Sequence, residues 1–284
     1  MTAARPQENP MTTSTVRDKL WLWGHESGSH DDGANIPGSS RIPPAEAAYY
    51  LNIPNLIMVR YRDYDAPGIV LLPQPPYDQY ALALSPLKQL VWSFVNEAGV
   101  TDDQEVDRVI DLAGKFPNIT GAMMDDFFLE NPTDGNIGVH TLDQLSAIKQ
   151  RLTLPDRRLD LWVVVYAHNF DMPVADHLAA CDVVSFWTWK AKHLADLEAN
   201  FARAEQITPN NRKVLGCYLW DYGDKKPMPL DLMQAQCRIG LDWLKQGRID
   251  GMIFLASCIC DHRLDTVEWT KQWIADVGDE PLAP

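Results

Sequence analysis

Four segments of this 284-residue chain repeat one pattern: KFPNITGAMM (residues 115–124), LPDRRLDLWVVV (154–165), TPNNRKVLGCY (208–218) and KQGRIDGMIF (245–254). Each leaves an amphipathic stretch, passes Pro, Asn, Gly or basic residues, and enters a short apolar run. A helix that stops just before a buried strand produces that order.

Working outward, the same kind of run recurs along the chain. The eight predicted strands are Leu20–Gly24, Leu56–Tyr61, Leu90–Val95, Gly121–Asp125, Leu161–Tyr166, Val183–Trp189, Val214–Trp220 and Gly251–Ser257. Their starts are 22 to 40 residues apart, room for a strand and a crossover helix. Between them lie helical patterns: PPAEAAYYLN from Pro43, TDDQEVDRVIDLAGKF with Thr101 as N-cap, and TLDQLSAIKQRL from Thr141. AKHLADLEANFARAEQI follows Lys190, LDLMQAQCRIGLDWLKQG has Gly247 as C-cap, and LDTVEWTKQWIADVG follows later. Eight such units predict an α/β fold, a single-domain (β/α)8 TIM-type barrel over residues 18–278. Residues 1–17 read as a disordered leader and 279–284 as a C-terminal tail. The competing doubly wound sheet lacks its signatures, since neither GxGxxG nor GxxxxGK[ST] follows a strand.

Composition narrows the partners. Asp and Glu number 39 against 25 Lys and Arg, a formal charge of −14. That balance disfavours nucleic acid and anionic membrane surfaces, which need a basic footprint. No apolar run approaches a membrane span of ~20 residues. Five cysteines stand without a CxxC pair or metal-ligand spacing. With no signal-peptide pattern in the first twenty residues, they suggest free thiols in a cytoplasmic protein, the alternative being secretion with the signal already removed.

In a barrel of this kind chemistry gathers where strands end. Here those ends read GHESGSHDD, RYRDYD, VNEAG, MMDDFF, YAHNFD, WTWK, LWDYGD and SCICDH. Buried charges are costly unless paired, so a substrate pocket is the natural reason for them. The sharpest signal is Asp125–Asp126. Neighbouring strand residues face opposite sides, so one of the two should point to the barrel axis and the other toward a loop. Either could serve as general acid. Glu26, Glu97 and Asp221 are candidates for the second carboxylate, with Asp221 expected to face the pair from strand seven. His25, Arg60, Tyr166, His168, Trp187, Trp189, Trp220 and Tyr222 are candidate substrate-binding residues. Flat rings beside polar groups suit the faces and hydroxyl rims of a sugar. The HxH and HExxH patterns are absent, and no metal or other cofactor is expected.

These features together resemble the glycoside-hydrolase type of (β/α)8 barrel: GAMMDDFF after strand four, VVSFWTW on strand six, LWDYG ending strand seven and WGHES after strand one. No single defined family is matched: the DxxDxDxE strand is absent and Asn96–Glu97 follows strand three rather than four. The resemblance implies a glycosidase acting on a small saccharide or glycoside, with carboxylates as acid and as nucleophile or base. Two other readings keep the barrel. One is a metal-assisted sugar isomerase, epimerase or lyase using His25, Glu26, Asp125, Asp126 and His168. The other is a carbohydrate-binding barrel without catalysis. The oligomeric state is not legible in the sequence.

Overall fold

The computed structural model describes residues 14–30, 33–63, 66–133 and 136–283. The eight barrel strands are β1 (Leu20–Gly24), β2 (Asn55–Met58), β3 (Gln89–Val95), β4 (Ile119–Met124), β5 (Asp160–Tyr166), β6 (Val183–Trp187), β7 (Arg212–Tyr218) and β8 (Gly251–Leu255). All are parallel, each pairs with its neighbours in sequence, and β8 closes on β1. Eight helices follow them in turn: α1 (Pro44–Leu51), α2 (Asp78–Ala83), α3 (Glu105–Lys115), α4 (Leu142–Arg151), α5 (Ala175–Ala180), α6 (Leu197–Ile207), α7 (Leu230–Lys245) and α8 (Asp265–Val277). The (β/α)8 expectation holds.

Local chemistry explains the helix ends. Thr141 caps α4 in a reciprocal box with Gln144. Gly247 follows α7 at φ +68°, the left-handed region it occupies without a Cβ clash. Thr101 does not cap α3, which starts at Glu105. Its hydroxyl donates instead to the Phe94 carbonyl at 2.7 Å and secures the loop after β3.

The barrel interior is built from large rings opposite missing side chains. Trp21 of β1 meets Trp162 of β5 edge-on at 5.0 Å. A Cβ on Gly121 of β4 would stand 2.8 Å from that Trp162 ring, and one on Gly251 of β8 3.2 Å from Trp21. One layer higher, Trp23 meets Trp187 at 5.4 Å, and a Cβ on Gly216 would lie 2.0 Å from Trp187. Glycine on one strand makes room for tryptophan on another, so the interior is filled and not a pore.

Several predicted strands end early. Tyr61–Arg62 pairs with Leu71–Leu72, and Trp220–Asp221 pairs with Lys226–Pro227, each as a small antiparallel hairpin above the barrel. A third hairpin joins Phe128–Thr133 to Asn136–Gly138. These hairpins build the upper face.

Residues 1–13 of the expected leader lie outside the described residues. Its last four do not behave as a loose segment: Val16 is buried, and Thr15 bridges Pro281. Leu282, in the expected tail, is buried beside them and donates its N–H to the Ser14 carbonyl at 2.8 Å. Apolar burial at Val16 and Leu282 is the physical reason both stretches join the packed domain. Among the described residues no helix is long and apolar enough to cross a membrane.

Candidate active site

A cavity of about 170 Å³ opens at the C-terminal mouth of the barrel. Its floor is Trp23 and Trp187, the upper interior layer, with Val164 and Leu255 beside them. One wall carries Glu97, Asp125 and Asp126. The other carries His25, His30, Tyr61 and Tyr222, while Tyr166, Trp189 and Tyr218 complete the rim.

The acidic wall depends on a local turn. β4 alternates Gly121, Met123, Asp125, and Gly121 faces the interior tryptophan, so Asp125 points to the axis. Asp126 would face away if the strand continued. Instead the strand ends at Met124 and Asp126 takes φ +42°, in the left-handed range that aspartate tolerates better than most residues. Both carboxyls therefore line the same cavity, which corrects the expectation that one turns to a loop.

Their surroundings differ. Asp125 is 8% exposed, and its Oδ1 accepts the Asp126 N–H at 2.9 Å. Burial pushes its pKa well above the usual carboxylate range, and the charges of Asp126 and Glu97 push the same way. Asp126 accepts hydrogen bonds from the Tyr166 hydroxyl at 3.0 Å to Oδ1 and from the Ala98 N–H at 3.0 Å to Oδ2. Burial, followed by the Asp126 charge, raises the Tyr166 pKa well above 10, so the phenol remains a donor. Burial thus favours the protonated form of one carboxyl, while its neighbour accepts hydrogen bonds.

The opposite wall is uncharged. His25 accepts the Trp23 indole N–H at Nε2 (3.1 Å) and faces the Val59 carbonyl from Nδ1 (2.9 Å), which places its proton on Nδ1. Burial lowers its pKa to about 4. His30 lies 4.6 Å from the His25 ring, its Nδ1 2.7 Å from the Tyr222 hydroxyl, and burial holds its pKa well below the usual value. No Lys or Arg lines the cavity among the described residues.

Several expected residues lie elsewhere. Asp221 is buried outside the cavity lining, where Oδ1 accepts the Asp224 N–H at 3.2 Å. Its strand leaves the barrel at Tyr218 and re-forms as the hairpin, so Asp221 does not face the aspartate pair. Glu26 accepts the Tyr80 hydroxyl at 2.7 Å and is not part of the lining. Arg60 is a buried partner of Glu105 and also donates to the Pro73 and Leu71 carbonyls, so it braces a loop. The Trp220 indole donates to the Ala34 carbonyl at 3.0 Å and anchors the loop after β1. His168 stacks on Tyr166 at 5.3 Å but borders a neighbouring groove. The five residues considered for a metal are thus not brought to one point: Glu26 and His168 stand outside the cavity, and both nitrogens of His25 are engaged. Among the described residues no cluster of three His, Cys, Asp or Glu groups has the disposition of a metal site.

Site residues that were not among the sequence candidates include His30, Tyr61, Tyr218 and Trp23. Trp23 and Tyr218 carried a signal, since Trp23 shares its face with Trp21 and Tyr218 with Gly216. His30 sits in a loop at φ +70°, and no periodicity marks it.

No family model matches this chain, and no curated protein does. Its fold is similar to many solved structures. One is a protein assigned as an alpha-L-fucosidase from Bacteroides thetaiotaomicron (TM-score 0.56, 12% identity, 95% of this chain and 97% of that one). A second is a xylanase and amylase inhibitor protein (TM-score 0.54, 13% identity, 92% and 98%). A third is the GH113 beta-mannanase AaManA from Alicyclobacillus acidocaldarius (TM-score 0.52, 7% identity, 94% and 99%). At these identities the likeness is one of fold.

Proposed function

We propose that this protein is an enzyme that cleaves the glycosidic bond of a small, neutral saccharide or glycoside. The observation that carries the reading is the unequal pair at the end of β4, both lining one cavity: Asp125 buried, which favours its protonated form, and Asp126 held by the Tyr166 hydroxyl and the Ala98 N–H. Asp125 gives its proton to the glycosidic oxygen as the bond to the anomeric carbon breaks. Asp126 faces the carbon that becomes positive, as nucleophile or as base for water. Glu97, on the same wall, adds negative charge that favours the cationic transition state. Trp189, 40% exposed at the rim, offers a flat face to the ring, above the floor of Trp23 and Trp187. A cavity without Lys or Arg has no partner for a phosphate or carboxylate, which supports a neutral substrate.

The test is a screen of aryl glycosides and oligosaccharides with wild type, Asp125→Asn and Asp126→Asn. Turnover by wild type that falls about 10²–10⁴-fold in each variant supports the reading. Saccharide binding without turnover by any form would replace it with a carbohydrate-binding barrel.

A further inference from the structure

Beside the cavity lies a second, larger hollow of about 830 Å³, which shares Asp126, Val164, Tyr166 and Trp189 with it. Asp126 therefore stands in the throat between two chambers. The inner chamber is small, floored by tryptophan and closed below by the filled barrel, so a substrate larger than one ring extends outward, and the groove across Asp126 adjoins that path. One side of the groove, among the described residues, is apolar: Phe128, Leu129 and Met172, with the Trp189 ring 40% exposed. Trp189 stands at 81° to Tyr166, and His168 lies parallel to Tyr166 on a 6° interplanar angle, so the rings form an open right-angled corner. The polar side chains among the described lining residues are Asp126, Tyr166, His168 and Asn169. Asn169 already spends its Oδ1 on the Tyr166 N–H at 2.8 Å. A flat apolar group in this chamber would cover the rings.

Building on the proposed glycoside chemistry, we infer that the outer groove is the leaving-group site, and that it takes a flat apolar aglycone such as an aryl or arylalkyl group. Cleavage at the throat then places the sugar in the inner chamber and the departing alcohol in the outer one. The glycosidic oxygen takes the Asp125 proton and leaves with the aglycone. The anomeric carbon takes its new bond from Asp126 or water.

The test separates this site from the chemistry. Binding of 2-phenylethanol, and of matched methyl and 2-phenylethyl glycosides of glucose, galactose, mannose and fucose, is measured by calorimetry on Asp125→Asn. The same set is repeated with Met172→Asp and Trp189→Ala added. The two alcohols have similar leaving ability, so any difference between them reports the groove. One 2-phenylethyl glycoside should bind about tenfold or more tightly than its methyl partner. Met172→Asp should abolish that advantage while the methyl glycoside binds as before. If methyl and phenylethyl glycosides bind equally, the groove assignment is overturned and the glycoside reading stands. If 2-phenylethanol binds in a Met172-dependent way but no glycoside binds, the groove stands and the glycoside reading is overturned. If 2-phenylethanol fails to bind and no glycoside shows the advantage, the groove assignment falls.

Discussion

The Tyr166 hydroxyl donates a 3.0 Å hydrogen bond to Oδ1 of Asp126, joining the end of β5 to the residue two past the end of β4. A hydrogen bond to a charged group contributes about 1.5–3 kcal/mol. If Asp126 acts at the anomeric carbon, Tyr166→Phe lowers kcat roughly 10- to 150-fold, the same energy expressed as a rate. KM should move little, because the phenol holds the carboxylate and not the sugar. Steady-state kinetics over a range of pH separates the two parameters.

Asp125 links activity to stability. Its native pKa lies above the ordinary 3.8, so between those values the folded protein holds a proton that the unfolded chain has released. Stability must then fall as pH rises through that window. Asparagine carries no such charge. Asp125→Asn should melt higher than wild type at pH 8, with the advantage shrinking toward pH 4, although it is catalytically crippled. Thermal melts at the two pH values decide this, and an unchanged difference would contradict the buried-acid assignment. The alkaline limb of the wild-type activity profile belongs to the same group, since loss of its proton removes the acid.

Gly216→Ala places a methyl group 2.0 Å from Trp187, at a layer with no slack. Overpacking of this kind costs about 1–3 kcal/mol. Because Trp187 floors the cavity, the variant should also bind saccharide less well. Denaturant unfolding and ligand titration read the two effects separately.

Arg60 was a candidate for contact with substrate, but its guanidinium is buried against Glu105, which Arg108 also reaches at 2.9 Å. Removing one partner of a buried pair costs about 3–5 kcal/mol. Arg108 softens that loss, so Arg60→Met should cost toward the lower end. The protein that remains folded should keep its kcat. Urea midpoints together with active-site-normalised rates test the assignment.

The barrel was legible because strands buried on both faces read as continuous apolar runs, and eight of them recur at crossover spacing. The strand ends were read too long at Tyr61, Trp189 and Trp220. There the apolar character persists while the chain has already peeled away, twice into a hairpin, and pattern alone does not mark the departure. The inward face of Asp125 could have been read from Gly121, whose missing side chain accommodates Trp162. The turn of Asp126 into the same cavity could not, because a positive φ at aspartate leaves no periodic trace. Asp221 was expected at the mouth because strand seven was read as running to Trp220, whereas the barrel strand ends at Tyr218. His30 depends on Tyr222, 192 residues away, and only the closed barrel brings them together.

That dependence extends to the order in which the molecule is made. The His25 N–H and the His25 carbonyl both engage the Ser257 hydroxyl, across 232 residues of chain and across the line where β8 meets β1. Contacts so distant in sequence carry the largest chain-entropy cost and are expected late in folding. The aspartate wall, spanning neighbouring units, can assemble before that line closes, whereas the histidine wall cannot. In a refolding experiment tryptophan burial should therefore run ahead of ligand binding. The interval between the two signals would time the final closing of the ring.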